Sequence, residues 1–164
     1  MCNIEVMKAI DWEIVREIYL EGIASGHATF ETQAPSWDDW DANHHRFARL
    51  ILRSNEEIMG WAALSGVSRR KVYEGVAEVS VYVASKARGL GFGQRLLARL
   101  IEESERNGIW TLQASIFSKN IASIRLHNRC GFREVGRRER IAKLNGVWRD
   151  TILMERRSTR VGSD

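Results

Sequence analysis

Apolar positions follow two different spacings along the chain, which predicts a mixture of helices and strands. A spacing of three or four residues, typical of one buried helix face, occurs in four stretches. Their apolar members are Ile14, Val15, Ile18, Tyr19 and Ile23, then Trp40, Phe47, Leu50 and Ile51, then Leu96, Leu97, Leu100 and Ile101, then Ile121, Ile124 and Leu126. Strands are predicted over residues 4–7, 58–64, 76–83, 109–116, 132–141 and 147–155. After a weak first strand the order is α-α-β-β-α-β-α-β-β, which predicts an α/β fold with a mixed sheet.

Turn and capping residues lie where these elements should begin and end. Asp11 and Ser36 precede the first two helices, and their side-chain oxygens can accept hydrogen bonds from the free amides of a first turn. Gly26 and the pair Asn107-Gly108 follow helices, where a left-handed residue often ends the helical path. Asn145-Gly146 separates the last two strands and predicts a tight hairpin between them.

The composition is typical of one soluble globular domain. The chain has 164 residues, of which 44% are hydrophobic and 28% charged, and it contains no linker-like or low-complexity segment. We therefore expect a single domain over residues 1–164 with a short flexible tail from about residue 158. The longest apolar runs are far shorter than the roughly 18 residues of a membrane helix, and the amino end lacks a secretory signal pattern. A cytoplasmic protein without membrane contact is expected.

The charged residues, histidines and cysteines indicate which ligands the protein can bind. Lys and Arg number 25 against 21 Asp and Glu, and the excess lies in residues 137–140 and 156–157. Such a field can attract an anionic ligand, although charge runs of this kind are more often solvated strand faces, so nucleic acid is not indicated. His27, His44 and His45 have no partner at metal-ligand spacing, and the two cysteines are far apart, so no metal is predicted.

The strongest chemical signal lies between the strand at 76–83 and the third helix. The segment reads Arg88, Gly89, Leu90, Gly91, Phe92, Gly93 and Gln94. Glycines let a ligand approach the backbone closely, and free amides at a helix start bind phosphate oxygens. A nucleotide-binding P-loop is disfavoured because Gln94 rather than Lys follows Gly93, and the dinucleotide fingerprint fails because its third glycine falls on Gln94 or Leu96.

The Arg-x-x-Gly-x-Gly pattern of residues 88–93 resembles the signature of the GCN5-related N-acetyltransferases, the GNAT superfamily. Further segments resemble its phosphinothricin and amino-acid N-acetyltransferase branch, in register over nearly the whole chain. They are Ala-Thr-Phe-Glu at 28–31, Gly-Trp-Ala at 60–62, Glu-Val-Ser-Val-Tyr-Val at 78–83, Asn-Ile-Ala-Ser-Ile-Arg-Leu-His at 120–127 and Gly-Phe at 131–132. The resemblance implies a mixed, mostly antiparallel sheet flanked by helices in a single domain.

The resemblance implies that acetyl-CoA is the co-substrate and that the amides of residues 88–94 hold its pyrophosphate. The resemblance also implies that four further residues bind acetyl-CoA: Val81, Val83, Asn120 and Ser123. The backbone around Val81 and Val83 would bind the pantetheine arm as an added strand binds. Asn120 would donate to the same arm, and it can also cap the following helix.

Two residues are candidates for proton transfer. Glu78, inside a predicted strand, would accept the proton of the attacking amine directly or through water. The alternative for Glu78 is an exposed strand residue paired with a basic neighbour. His127 occupies a position where many relatives have a tyrosine that protonates the departing thiolate, so it is a possible acid. Alternatively, His127 has only a structural role, as a histidine whose ring nitrogens are hydrogen-bonded within the protein beside apolar helix residues.

Four residues are candidates for acceptor recognition by resemblance. Phe30 and Glu31 match the loop that walls the acceptor pocket, with Phe30 touching the substrate and Glu31 orienting its amine. Arg70 and Tyr73 match pocket-lining positions, and a guanidinium is suited to a carboxylate or phosphinate. The alternative for Arg70 is a solvated turn, because Arg69 and Lys71 flank it.

The sequence therefore predicts an N-acetyltransferase that moves the acetyl group of acetyl-CoA to the primary amine of a small amino acid or analogue such as phosphinothricin or methionine sulfone. Direct attack in a ternary complex is expected, because neither cysteine has a visible base partner. Relatives are commonly homodimers, so a homodimer is expected. The alternatives are an enzyme acting on a protein amino terminus or an aminoglycoside, a non-catalytic acetyl-CoA-binding module, and a basic RNA-associated protein.

Overall fold

The computed structural model describes residues 1–164, which form one open sheet with helices on its faces. The strands are β1 (Cys2–Val6), β2 (Leu50–Ser54), β3 (Glu57–Gly66), β4 (Val76–Val83), β5 (Thr111–Phe117), β6 (Arg133–Leu144) and β7 (Val147–Arg157). The helices are α1 (Trp12–Ser25), α2 (Trp37–Asn43), α3 (Phe92–Arg106) and α4 (Ile121–Arg129). None of these helices is both long and apolar enough to cross a lipid bilayer.

The seven strands lie in the order β1-β2-β3-β4-β5-β7-β6. Every neighbouring pair is antiparallel except β4 and β5, which run parallel. The predicted mixed, mostly antiparallel sheet with flanking helices is therefore confirmed. The predicted hairpin is also present, since Asn145 and Gly146 join β6 to β7 with φ values of 48° and 79°.

Each face of the sheet has its own hydrophobic core. The larger core packs α3 and α4 against one face and contains 18 buried residues, among them Leu96, Leu97 and Leu100 of α3. The smaller core packs α1 and α2 against the other face and contains 11 buried residues, with Trp40 and Trp61 at its centre. Burial of this apolar area on both faces is the main stabilising contribution to the sheet.

The second predicted helix is wrong in its carboxyl-terminal half. Helix α2 is capped by the Ser36 hydroxyl as predicted, but it ends at Asn43, and Leu50 and Ile51 lie in strand β2. In β2 alternate side chains point to opposite cores: Leu50 and Leu52 face α3, and Ile51 faces α1. A strand buried on both faces has no polar alternation, so its short apolar run mimics part of a helical stripe.

Arg49 replaces helical hydrogen bonding in the segment between α2 and β2. Its guanidinium donates to the carbonyl oxygens of His45 at 2.6 Å, Asp41 at 3.0 Å and His44 at 3.1 Å, and it lies over the Trp40 ring. Arg49 is only 9% exposed. One buried side chain therefore satisfies three backbone acceptors that a continued helix would have paired with amides.

Asp11 also differs from its predicted role. The residue precedes α1, but its carboxylate accepts from the Lys8 amide at 2.8 Å and makes no capping bond to the helix. The carboxylate therefore closes the turn before the helix rather than capping the helix itself. Gly26 ends α1 in a left-handed conformation, as predicted.

Three of the seven arginines in β6 and β7 form ion pairs with acidic side chains. Arg137 bonds Asp150 at 2.9 Å, and Arg156 bonds Glu105 at 2.9 Å. Ser158, where the tail was predicted to begin, is 5% exposed, and its hydroxyl bonds the same Glu105 carboxylate. Ordered contacts to α3 therefore continue beyond the end of β7.

The histidines are dispersed among aromatic and backbone partners. His44 stacks on Trp40, and His45 stacks on Phe47. The structure contains no group of three or more His, Cys, Asp or Glu side chains arranged to hold a metal ion. The two cysteines are free thiols.

Candidate active site

The parallel strands β4 and β5 pair for only three residues and then separate. Val76, Ala77 and Glu78 are in register with residues 111–113, and no pairing follows beyond Glu78. On its other side β4 stays paired with β3 along the whole strand, to Val83. The edge of β4 that faces β5 therefore carries unpaired backbone groups from Val79 onward. An extended ligand can pair with such an edge.

A cavity of about 340 Å³ occupies the gap between the two strands. Its lining comes from β4, β5, helix α4 and the loop between α1 and α2. The lining residues are Ala28, Thr29, Phe30, Glu31, Glu78, Val79, Ser80, Val81, Tyr82, Ala114, Ser115, Ile116, Phe117, Asn120, Ser123, His127 and Thr151. Because successive residues of β4 point to opposite faces, the cavity connects the two faces of the sheet.

Glu78 lies at the point where the strands separate. Its carboxylate is half-buried and accepts a hydrogen bond of 3.3 Å from the Gln113 side-chain amide on β5. Gln113 is the strand partner of Glu78, so the bond holds the carboxylate across the last paired position of the two strands. The second carboxylate oxygen remains available to the cavity.

His127 lines the same cavity from helix α4 and is 4% exposed. Its Nδ1 lies 2.7 Å from the Ser123 carbonyl oxygen, so Nδ1 carries the hydrogen and donates it. Burial lowers the pKa of His127 below its usual value near 6.5, and the bond to Ser123 opposes this only in part. The lowered pKa favours the neutral imidazole, in which Nε2 carries no hydrogen and can accept a hydrogen bond. The role of His127 as a possible acid stays a prediction.

The amino end of α3 presents a row of free backbone amides. Gly89 and Gly91 have φ values of 80° and 78°, and Gly91 is the residue before the helix. The first helical bond runs from the Arg95 amide to the Gly91 carbonyl at 3.2 Å, and the amides of residues 89–94 donate to no protein group. These amides and the positive end of the helix dipole form a site for phosphate oxygens beside Arg88.

Gly93 brings this helix end close to β4 and α4. A Cβ atom at Gly93 would be in ordinary van der Waals contact, 3.4 Å from Leu126 and 3.7 Å from Val83, so the helix end packs closely against both residues. Val81 lines the cavity, and Val83 packs beside the helix end. The free amides and the unpaired strand edge are therefore adjacent, as one ligand that bound both would require.

Asn120 and Ser123 stand at the start of α4. The Asn120 Oδ1 caps the helix by accepting from the Ser123 amide at 3.2 Å, which confirms the predicted capping. Its Nδ2 donates to the His27 carbonyl at 3.1 Å. Both polar atoms of Asn120 thus have protein partners, although the residue also borders the cavity.

Phe30 and Glu31 line the cavity, and their role in acceptor binding stays a prediction. The Phe30 ring packs edge-on against Phe117, with centroids 4.6 Å apart. The Glu31 amide donates to the Thr29 hydroxyl at 3.1 Å, which shapes the loop locally. The only charged side chains in the lining are those of Glu31 and Glu78, so the cavity has an acidic character.

Arg70 and Tyr73 are not brought into this cavity. Both are exposed in the loop between β3 and β4, and the Arg70 guanidinium lies 5.5 Å from the centre of the Tyr73 ring. Their role in acceptor binding stays a prediction.

Several lining residues were missed by the sequence reasoning. Ser80 and Tyr82 share a face of β4 with Glu78, so the alternation along that strand could have identified them. Burial raises the pKa of Tyr82, whose ring stacks on Trp61. Phe117 and Thr151 enter the cavity through the pairing of β5 with β7, and no local pattern reveals that pairing.

The sequence from residue 12 to residue 132 matches the model of the acetyltransferase (GNAT) family. The chain belongs to the GNAT family. The divergence of β4 from β5 and the free amides at the start of α3 are the features around which the predicted GNAT site is built. The resemblance inferred from residues 88–93 is thereby confirmed.

Similar proteins include GNAT enzymes with named substrates. Phosphinothricin N-acetyltransferase of Alcaligenes faecalis is 32% identical over 162 residues, covering 94% of this chain and 82% of that protein. The crystal structure of a Sinorhizobium meliloti phosphinothricin acetyltransferase in complex with AcCoA superposes with a TM-score of 0.89 at 26% identity, covering 99% and 91% of the two chains. The ribosomal-protein-alanine N-acetyltransferase of Brucella melitensis superposes equally well, with a TM-score of 0.89 at 30% identity, covering 95% and 99%.

Proposed function

We propose that the protein transfers the acetyl group of acetyl-CoA to the primary amine of a small amino acid or analogue of the phosphinothricin or methionine sulfone type. The observation that carries the proposal is the cavity between β4 and β5, where Glu78 and His127 face one space beside the free amides of α3. The names of the phosphinothricin-acetylating relatives support the choice of acceptor.

The chain offers a fitting site for the acetyl donor. The amides of residues 89–94 and the Arg88 guanidinium would bind the pyrophosphate, and the unpaired edge of β4 around Val81 and Val83 would bind the pantetheine arm. Ser123 borders the same cavity. Acetyl-CoA supplies an activated thioester, and these residues orient it toward the opening in the sheet.

Glu78 would receive the proton that the acceptor amine must lose before it attacks. The carboxylate is anchored through one oxygen by Gln113, which leaves the other oxygen free to accept. We expect direct transfer of the acetyl group, and neither Cys2 nor Cys130 borders the cavity. Phe30 and Glu31 would wall and orient the acceptor.

His127 would assist as an acceptor at Nε2. The Nδ1 hydrogen is committed to the Ser123 carbonyl, and the lowered pKa disfavours a second proton at neutral pH. A neutral imidazole in this state can accept a hydrogen bond from the acceptor or from a water molecule. The departing CoA thiolate is already a fair leaving group and, because a thiol has a pKa of about 8.5, it can take its proton from water after it leaves.

A second candidate acceptor is a peptide amino terminus or another amine on a cationic molecule. The observation that favours it is the acidic lining of the cavity, from which Arg70 and Tyr73 are absent. A substrate carboxylate would meet no lysine or arginine side chain there, whereas an ammonium group would meet two carboxylates. The name of the Brucella melitensis structure agrees with such an acceptor.

A homodimer and a cytoplasmic location remain predictions. Strand β6 forms an edge of the sheet, and Val135, Ile141 and Trp148 are exposed on the terminal hairpin. Unprotected edges and apolar patches of this kind support association with a second copy. A molar-mass measurement in solution decides between monomer and dimer.

The proposal is tested by release of free thiol from acetyl-CoA with a panel of amines. The panel contains phosphinothricin, methionine sulfone, proteinogenic amino acids, an aminoglycoside and a peptide with a free amino terminus. Glu78→Gln should lower kcat by on the order of a hundredfold, because it removes the base but keeps the shape and the Gln113 contact. Glu74→Gln is the matched control, since Glu74 is exposed and outside the cavity.

Each outcome of the panel assigns a function. A preference for phosphinothricin or methionine sulfone supports the proposal, and a preference for the peptide or the aminoglycoside supports the second candidate. Binding of acetyl-CoA without turnover of any amine overturns both in favour of a non-catalytic module. Near-normal turnover by the Glu78→Gln variant would remove Glu78 from the mechanism.

A further inference from the structure

The loop that walls the acceptor side of the cavity is fastened by two residues from distant parts of the chain. This wall loop, residues 26–35, connects α1 to α2 without regular secondary structure and carries Phe30 and Glu31. Its backbone has two hydrogen bonds to distant residues. Arg149 of β7 donates to the Gly26 carbonyl, and Asn120 at the start of α4 donates to the His27 carbonyl.

Arg149 makes two contacts with the wall loop and one with the Phe117 ring. One guanidinium nitrogen donates to the Gly26 carbonyl at 2.9 Å, and another donates to Nδ1 of His27 at 3.3 Å. The planar group also lies over the Phe117 ring, 4.2 Å from its centroid. The Phe117 ring is in contact with the nearly perpendicular Phe30 ring, so the same arginine supports both the backbone at the start of the loop and its aromatic side chain.

These contacts set the position of the wall loop relative to the sheet. The other hydrogen bonds of the loop backbone are local: the amide of Gly26 bonds Ile23, and that of His27 bonds the Ser25 hydroxyl. Local bonds shape a turn but do not fix its distance from the sheet. A planar cation that donates in two directions and stacks on an aromatic ring gives one defined geometry, which a lysine cannot reproduce.

Asn120 connects this wall to the donor side of the cavity. Its Oδ1 caps α4, the helix that carries Ser123 and His127, while its Nδ2 holds the His27 carbonyl. A displacement of the start of α4 should therefore shift the backbone of the wall loop through the bond from Asn120 to His27. The acceptor side and the donor side share one side chain.

We propose that Arg149 is a positioning residue for the acceptor, acting through the wall loop and Phe117, with Asn120 as the link from that loop to α4. The expected change in the KM of the amine rests on the proposed function, because it requires that the protein acetylates an amine. Its structural part, the fastening of residues 26–35, stands independently of which amine is acetylated. Arg149 itself is absent from the cavity lining, so it acts through the residues that it holds.

The test compares Arg149→Met with Arg138→Met in the full-length protein. Arg138 is exposed on the neighbouring strand β6 and forms no hydrogen bond or ion pair through its side chain, so the control makes the same chemical change on the same hairpin. The Arg149→Met variant should raise the KM of the amine about tenfold, which corresponds to about 1.4 kcal/mol, with the KM of acetyl-CoA changed less than about twofold. Arg149→Lys should recover part of the loss, because it restores the charge and one donor.

Hydrogen exchange provides a readout that does not depend on catalysis. Residues 26–32 should exchange faster in Arg149→Met and in Asn120→Asp, which keeps the helix cap but removes the donor to His27. Exchange in β6 and β7 should match that of the Arg138→Met control. The Asn120→Asp variant keeps the proposal falsifiable if Arg149→Met does not fold.

The outcomes separate this inference from the proposed function. An equal rise in both KM values, or exchange in residues 26–32 that stays at the control level, overturns the positioning role. If the wild-type protein acetylates no amine, the proposed function fails, and the exchange comparison alone decides whether Arg149 fastens the wall loop.

Discussion

Replacing either Gly89 or Gly91 by alanine tests the phosphate site without creating a steric clash. Both residues have φ near 80°, and a Cβ atom at either position would have no neighbour within 4 Å. Gly108 and Gly146 provide matched controls, with φ of 79° and equally open surroundings. The controls lie at the end of α3 and in the β6–β7 turn, away from the amides of residues 89–94.

The expected magnitude follows from the cost of a left-handed residue. An L-residue in this region is disfavoured by about 1–2 kcal/mol. The loop of Gly89 and Gly91 is exposed, so in the free protein it can relax to negative φ when alanine is present. Acetyl-CoA must then restore the geometry in which the amides converge, and its Kd should rise by about 5- to 30-fold. In Gly108→Ala and Gly146→Ala the same cost should instead reduce the free energy of unfolding.

The assay is calorimetric titration of CoA and acetyl-CoA into all four alanine variants, together with urea unfolding of each. Weaker binding confined to Gly89→Ala and Gly91→Ala supports the phosphate site. If both bind CoA within about twofold of the wild type while retaining their fold, the amides of residues 89–94 do not hold the pyrophosphate. The donor half of the proposed function would then be lost.

Two stability measurements test buried polar groups. Arg49→Met should lower the free energy of unfolding, measured in urea, by about 2–4 kcal/mol, because three backbone carbonyls lose a charged donor. A loss below about 1 kcal/mol would contradict this reasoning. Burial lowers the pKa of His44, His45 and His127, so the unfolded chain binds more protons below the usual value near 6.5. Stability should therefore fall as the pH drops from 6.5 toward 5, less steeply in His127→Gln, and a flat profile would be inconsistent with these buried neutral imidazoles.

The sequence predicted those parts of the fold whose signals are local. The glycine segment at 88–93, the hairpin at Asn145-Gly146 and the cap at Ser36 each depend on the conformation of a few consecutive residues. The same is true of Glu78, whose place in an alternating strand is visible without any partner strand. Such signals survive folding because the tertiary structure does not have to reverse them.

Strand β2 shows where local pattern fails. Leu50 and Ile51 fit the spacing of the preceding helix, yet both faces of β2 are buried and the apolar run is continuous. The turn that follows is formed by Asn55 and Glu56 with φ of 50° and 70°, and Asn in such a turn was an available hairpin signal. The decisive element is Arg49, whose bonds to preceding carbonyls exist only after the chain has folded back.

The site shows the same limit for chemistry. Glu78, His127, Phe30 and Glu31 were predicted by resemblance and line one cavity, whereas Arg70 was predicted to join them and lies outside. The protonation of His127 could not be deduced from residue type, because it depends on burial and on which nitrogen donates to a carbonyl. An imidazole becomes an acid or a base through its surroundings.

Positioning residues are the least accessible to sequence reasoning, because their effect depends on pairs far apart in the chain. Arg149 lies 122 positions from His27, and Asn120 lies 93 positions from it. Neither pair has a local pattern, and each residue has an unremarkable alternative role, in a strand face or a helix cap. The wall loop has few internal hydrogen bonds, so its distance from the sheet depends on contacts with residues that are remote in the sequence. A change at Arg149 should therefore alter the selection of the amine before it alters the chemistry at Glu78, and the separate KM values of the two substrates distinguish these effects.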